Sequence, residues 1–215
     1  LIALIRASKL SLVGVTTESV KTDLSTAQLA GIGAAALLWN EVEFMLDCAL
    51  YSGEGLPPSC LADDLPKRPL DEKIEDARKA AIHWRLPDDF MDAITSTAAS
   101  FRDLKILRNA IIHARLYNRD LGIGRFISRK GKSFDVLLTE SALEWLYRNL
   151  LVLRRELRAL VAIFDLVRTT KLAERAGLIA SGQIDPMPEA REWLERMAKC
   201  KAERFDLGPA PKFPS

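Results

Sequence analysis

Leu104-Lys-Ile-Leu-Arg-Asn-Ala-Ile-Ile-His-Ala-Arg-Leu-Tyr117 is the stretch on which the reading of this chain turns. At about 100° per residue, Phe90, Ile94, Phe101, Leu104, Ile111 and Ile112 fall in one arc about 100° wide. A shared face of this kind predicts a helix over about 88–116, opened by Asp88 or Asp89 after the break at Pro87. Arg108 projects into the middle of that arc, where an apolar residue is due. The stretch also holds His113, one of two histidines in the chain.

The flanking sequence repeats the helical pattern. After an N-cap at Ser25 or Thr26, Leu29, Ile32, Ala36, Trp39, Leu46 and Leu50 recur at steps of three and four, predicting a helix over about 26–52. Gly31 and Gly33 each cost roughly 1 kcal/mol of helix propensity, which suggests close approach of another backbone. Gly53, Gly55, Pro57 and Pro58 end this helix. Leu70, Ile74, Ala77, Ala81 and Trp84 predict a second helix over about 70–85. Leu143, Leu146, Leu150, Leu153, Leu157, Leu160 and Phe164 predict a fourth over about 140–175, capped by Thr139. Between the third and fourth, Arg125–Ser128 and Ser133–Leu138 read as a β-hairpin across a turn at 129–132. Residues 181–188 form a linker and 188–204 a last short helix. The expected fold class is all-α: four principal helices in a bundle, with a small hairpin insertion and a C-terminal helical extension. The domain reading is an N-terminal arm at 1–25, the bundle at 26–175 with its hairpin at about 123–138, and a helix with a Pro-rich tail at 176–215.

With 215 residues, 48% hydrophobic and 28% charged, the chain can bury a sizeable core. Cys48, Cys60 and Cys200 lack metal-ligand spacing, and with His83 and His113 as the two imidazoles a metal site is not expected. Reduced thiols in a cytoplasmic protein are the simple reading. No apolar run reaches the roughly 18 residues that span a bilayer, so no membrane partner is expected.

Two charges sit in apolar seams, Arg108 on the third helix and Glu43 on the first. A charge in a core is costly unless paired. The two are expected to lie within reach of each other, directly or through water, across the contact between those helices. The plainer alternative has Arg108 snorkelling to a cleft and Glu43 at a stripe edge. Asn109 and His113, four apart, share a helical side, whereas Arg108 and His113 lie about 140° apart on an ideal helix. Local charge is lopsided. Arg102, Lys105, Arg108, Arg115, Arg119, Arg125, Arg129, Lys130 and Lys132 face only Asp103 and Asp120 across 102–132, a local charge of +7 within a net +2. Such a patch attracts phosphate backbones, or is a solvated basic hairpin.

Leu-Arg-Asn-Ala-Ile-Ile-His at 107–113, late in a helix and followed by a basic loop, resembles the Arg-x4-His motif of the HEPN superfamily (higher eukaryotes and prokaryotes nucleotide-binding). Trp39-Asn-Glu-Val-Glu43 on the first helix is similar to the acidic position such proteins often carry, and the resemblance covers about 26–175. It implies a helix bundle that forms a homodimer with the motif at the interface. It implies a metal-independent endoribonuclease of the toxin or defence type that uses no cofactor and cleaves RNA through the ribose 2′-hydroxyl. His113 would be the general base, Arg108 would stabilise charge on the phosphate, Asn109 would orient either group, and Glu43 would hold Arg108. Lys105, Arg115, Arg119, Arg125, Arg129, Lys130 and Lys132 would bind RNA. A partner such as an antitoxin or a nucleotidyltransferase follows from the same family. Other members only bind, so a non-catalytic module for RNA, nucleotide or a partner protein is the alternative.

Overall fold

The computed structural model describes residues 24–56, 64–113, 115–118, 123–127, 133–182 and 184–206. They are mostly helical. Helix α1 is Thr26–Glu54, α2 Leu70–His83, α3 Asp88–His113, α4 Glu140–Arg175 and α5 Met187–Asp206; a short 3-10 turn, Leu65–Lys67, precedes α2. The stretches 1–23 and 207–215, part of the N-terminal arm and the Pro-rich tail, lie outside the described residues.

Helix ends follow local chemistry. Ser25 caps α1 through a reciprocal box: its Oγ accepts from the Gln28 backbone N–H at 3.1 Å, and Gln28 Oε1 accepts from the Ser25 N–H at 2.7 Å. The Gln28 side chain also donates to the Leu138 carbonyl at 2.7 Å, tying the start of α1 to the chain entering α4. Thr139 caps α4 by accepting from the Ala142 N–H. The first helix runs past Gly53 and stops at Gly55, whose φ of 64° suits a left-handed C-cap. Gly53 itself is a packing residue: a Cβ there would lie 2.9 Å from that of Ala80 and 3.2 Å from the Phe164 ring. The adjoining Gly53 carbonyl accepts from the Trp84 indole at 2.6 Å, which fastens the end of α2 to the end of α1.

The core lies where α1 meets α4, flanked by α2 and α3, with α5 packed mainly on α4. Every residue of the predicted α4 seam, from Leu143 to Phe164, is buried. The α1 seam differs from its prediction. Leu29 is exposed, and Ala35, Leu38, Val42 and Ala49 join Trp39, Leu46 and Leu50 inside, because neighbours on more than one side widen the buried arc. At Gly31 the close neighbour is the Leu143 side chain, 3.1 Å from where a Cβ would sit, rather than a backbone; a Cβ on Gly33 would have nothing within 4 Å.

Two further readings are corrected. The third helix ends at His113, and Arg115–Asn118 is a strand, so the hairpin is the outer part of a three-stranded antiparallel sheet of order β1 (Arg115–Asn118), β2 (Ile123–Ile127) and β3 (Ser133–Leu137). By length and composition α1 would also suffice to cross a membrane, with an 18-residue window of mean hydropathy 1.3 of which 28% is buried. That apolarity serves the core on one side only.

Candidate functional site

Arg108 emerges from the core face of α3, as its position in the apolar arc requires. Its guanidinium carbon stands 5.6 Å from the centre of the Trp39 ring, a cation–π placement. Trp39 is fully buried and meets Phe101 edge-on at 5.0 Å, so the platform under Arg108 is rigidly packed. Arg108 Nη1 donates to Asn109 Oδ1 at 2.8 Å, while Nε is buried with no hydrogen-bond partner. No carboxylate forms an ion pair with it among the described residues, so its charge is held by an indole face and a neutral amide. The structure thus brings Arg108 and Asn109 together. His113 is the last residue of α3, four positions beyond Asn109, and is exposed.

Glu43 is elsewhere. The expected direct pair with Arg108 does not form, because Arg108 bends to its own neighbour Asn109 and lies over Trp39. Glu43 instead borders a cleft of about 290 Å³ between α1, the 3-10 turn and α2, with Asn40, Phe44, Asp47, Arg68 and Lys73. In that cleft Asp47 and Lys73 make the buried ion pair of this contact, Nζ to Oδ1 at 2.6 Å. The pair is close in charge, yet Asp47 Oδ1 lacks a well-directed hydrogen bond. Arg68 is taken up by Glu54 at 3.1 Å and Asp76 at 2.9 Å. Both members of the buried pair were legible as candidates: Lys73 lies on the Leu70–Ile74–Ala77 stripe and Asp47 follows Glu43 by one turn.

The expected RNA-binding residues divide. Lys105 is half-buried on α3. Arg125 on β2 faces its register partner Asp135 on β3 and pairs with it at 2.9 Å, so part of the basic patch is neutralised within the sheet. Arg102 likewise meets Asp71 at 3.4 Å. Arg115 lies on β1, and its side chain, with Arg119, Arg129, Lys130 and Lys132, is outside the described residues.

A second buried acid escaped the sequence reading. Glu156, inside the α4 seam, accepts from Arg204 of α5 at 3.0 Å and from the Thr97 hydroxyl of α3. Burial pushes its carboxyl above the usual range; Arg204, Thr97 and Lys201 pull it back only in part. Burial also raises the thiols of Cys48 and Cys200, both free. Among the described residues no group of three or more His, Cys, Asp or Glu side chains could hold a metal ion.

Comparison with known proteins found no matching family model, no matching curated protein and no matching solved structure.

Proposed function

We propose that the chain is a HEPN-like helical bundle acting as a metal-independent endoribonuclease of the toxin or defence type. The observation that carries this reading is Arg108: an arginine in an apolar seam, seated on Trp39 and bonded to Asn109, with no carboxylate among the described residues to neutralise it. A permanent cation held by neutral partners is suited to a phosphate oxygen. His113 supplies an imidazole at the exposed end of the same helix. In this reading His113 takes the proton of the ribose 2′-hydroxyl, which attacks the adjacent phosphorus. The 5′-oxygen of the next nucleotide leaves, and the product carries a 2′,3′-cyclic phosphate. Arg108 stabilises charge on the non-bridging oxygens, and Asn109 fixes Arg108 in place of Glu43.

Ile106, 65% exposed, shares the Asn109 and His113 side of α3 and supports a homodimer that pairs two motifs there. An antitoxin or a nucleotidyltransferase is the class of protein partner, and the cytoplasm the location, that this reading brings with it.

One observation favours the non-catalytic alternative. Arg108 leaves α3 on its core side and His113 on its exposed side, so a single subunit does not present them as one flat face. The deciding experiment incubates structured and unstructured RNA with the protein in EDTA, alongside His113→Ala and Arg108→Ala. Cleavage lost in both variants supports the nuclease. Intact RNA in every case, with wild type still shifting RNA in a gel, supports the binding module.

A further inference from the structure

The cleft between α1 and α2 holds a carboxylate that its own cations leave unmatched. Asn40, Glu43 and Asp47 follow one another at steps of three and four, so α1 carries them on one side, and all three border the cavity of about 290 Å³. At Asp47 the charge is already balanced: Lys73 sets its ammonium 2.6 Å from Oδ1, and the two side chains are only 5% and 7% exposed. The other cation of the cleft, Arg68, commits its Nη1 to Glu54 and Asp76. Glu43, half-buried and one turn before Asp47, has neither a hydrogen bond nor an ion pair from its side chain among the described residues. Apolar groups complete the wall, with the half-exposed Phe44 ring, Pro66 and Leu70.

We propose that this cleft binds a small primary alkylammonium, its charged head on Glu43 and its hydrocarbon body against Phe44, Pro66 and Leu70. The sign of the ligand follows from the charges already engaged. With Lys73 set against Asp47 and Arg68 shared between two acids, Glu43 is the charge left over, and a half-buried carboxylate gains from a cation entering the same wall. The head group follows from the acceptors. Lys73 shows that this face of α1 already holds an ammonium, on the carboxylate one turn along from Glu43. An ammonium brings three N–H donors. The Asn40 side-chain carbonyl and Asp47 Oδ2, which flank Glu43 on the same face, make no hydrogen bond of their own among the described residues. A quaternary ammonium would leave all these acceptors unsatisfied, and Phe44 alone is no aromatic cage. A hard metal ion would need several oxygen ligands, and no group of three or more candidate ligating side chains occurs among the described residues. The size of the ligand follows from the cavity, which stands at the lower end of the ~300–1,000 Å³ of small-molecule pockets and suits a free amine with a short chain. The proposal uses neither Arg108 nor His113, so it does not rest on the nuclease reading.

The test titrates the full chain with butylammonium chloride, read by calorimetry and by ligand-observed NMR. Saturable binding of one ligand per chain is expected, with a Kd of about 1 mM or tighter. Glu43→Gln keeps the shape and removes the charge, and is expected to weaken binding by about tenfold or more. Phe44→Ala removes part of the wall and is expected to weaken it by about threefold or more. Butanol, which has no charge, and tetramethylammonium, which has no N–H, are each expected to bind at least about tenfold more weakly than butylammonium. Neither Glu43 nor Phe44 is in the core, and circular dichroism checks that both variants fold. The proposal is overturned if butylammonium shows no saturable binding up to about 10 mM, or if Glu43→Gln binds it as wild type does. It is overturned too if sodium or tetramethylammonium displaces it as well as butylammonium does, since Glu43 would then attract cations without a site. Tighter, Glu43-dependent binding of Nα-acetyl-lysine amide would also overturn it, by making the lysine side chain of another protein the ligand.

Discussion

Arg108 and Arg204 share one structural oddity: each buries its Nε without a hydrogen-bond partner. Their other contacts differ. Arg204 meets the Glu156 carboxylate at 3.0 Å and so joins α5 to α4. Arg108 meets an indole face and an amide oxygen, and no acid among the described residues. The difference separates two uses of a charge in an apolar seam. A guanidinium opposite a carboxylate has its field cancelled and can serve only cohesion. One held by neutral groups is positioned without being neutralised, and its attraction for an anion persists.

The largest expected effect tests that separation directly. In the RNA assay, Arg108→Ala and His113→Ala should each lower the cleavage rate by about 10²- to 10⁴-fold. Arg108→Lys should also fail, since an ammonium cannot reproduce the planar fork over Trp39. Stability should follow only modestly. Arg108→Ala removes one cation–π contact and one hydrogen bond from a charged donor to a neutral amide, together about 2 kcal/mol in urea unfolding. A loss of several kcal/mol would place Arg108 with Arg204 among the cohesive arginines.

The paired charges should behave the other way. Lys73→Ala strands Asp47 in the core and should cost about 3–5 kcal/mol, whereas Asp47→Leu with Lys73→Met should come close to wild type. Glu156→Ala should cost about 3 kcal/mol, less than Lys73→Ala because Arg204 keeps a partly solvated route outward. Neither change should alter RNA cleavage by more than its effect on the folded fraction. Denaturant titration with parallel rate measurements checks both.

Sequence periodicity carried the helices well, because caps and seams are local. Ser25, Thr139 and Gly55 act through their own neighbours, and the α4 leucines recur at a spacing that only one face can satisfy. Arg115–Asn118 defied that logic. No Gly or Pro separates it from α3, and its strand state comes from pairing with β2, a contact that Arg115 makes with Arg125, ten residues on. The charges show the same divide. A wheel places Arg108 in the core arc correctly, but it gives azimuth and not the depth or identity of the partner. Glu43 and Arg108 therefore looked complementary, while the buried pairs that form, Asp47 with Lys73 and Glu156 with Arg204, were set by which helices touch. For the candidate site, the Arg108 azimuth was legible in the sequence, and its seat on Trp39 was not.

The smallest expected effect lies within the α4–α5 contact, where two ion pairs sit side by side with opposite electrostatics. Arg204–Glu156 is buried and Arg155–Glu203 is open to solvent. Burial holds the Glu156 carboxyl above its ordinary value, so the folded state binds that proton more tightly than the unfolded chain. Its contribution to stability is complete below the ordinary value and is lost as pH rises through the raised one. Glu203 is held below its ordinary value by its hydrogen bond from Arg155. Its contribution is present above the ordinary value and is lost as pH falls through the depressed one. Urea unfolding across the acid range should therefore give difference profiles of opposite slope. Wild type should gain on Glu156→Gln as pH falls and lose to Glu203→Gln over the lower part of the same range. The second slope should be shallow, since solvent screens that pair, and should shrink further in salt. Profiles of equal sign would mean that Arg204 outweighs the burial of Glu156, making the buried pair a stronger version of the open one. Arg108 would then stand apart from both only by lacking a carboxylate.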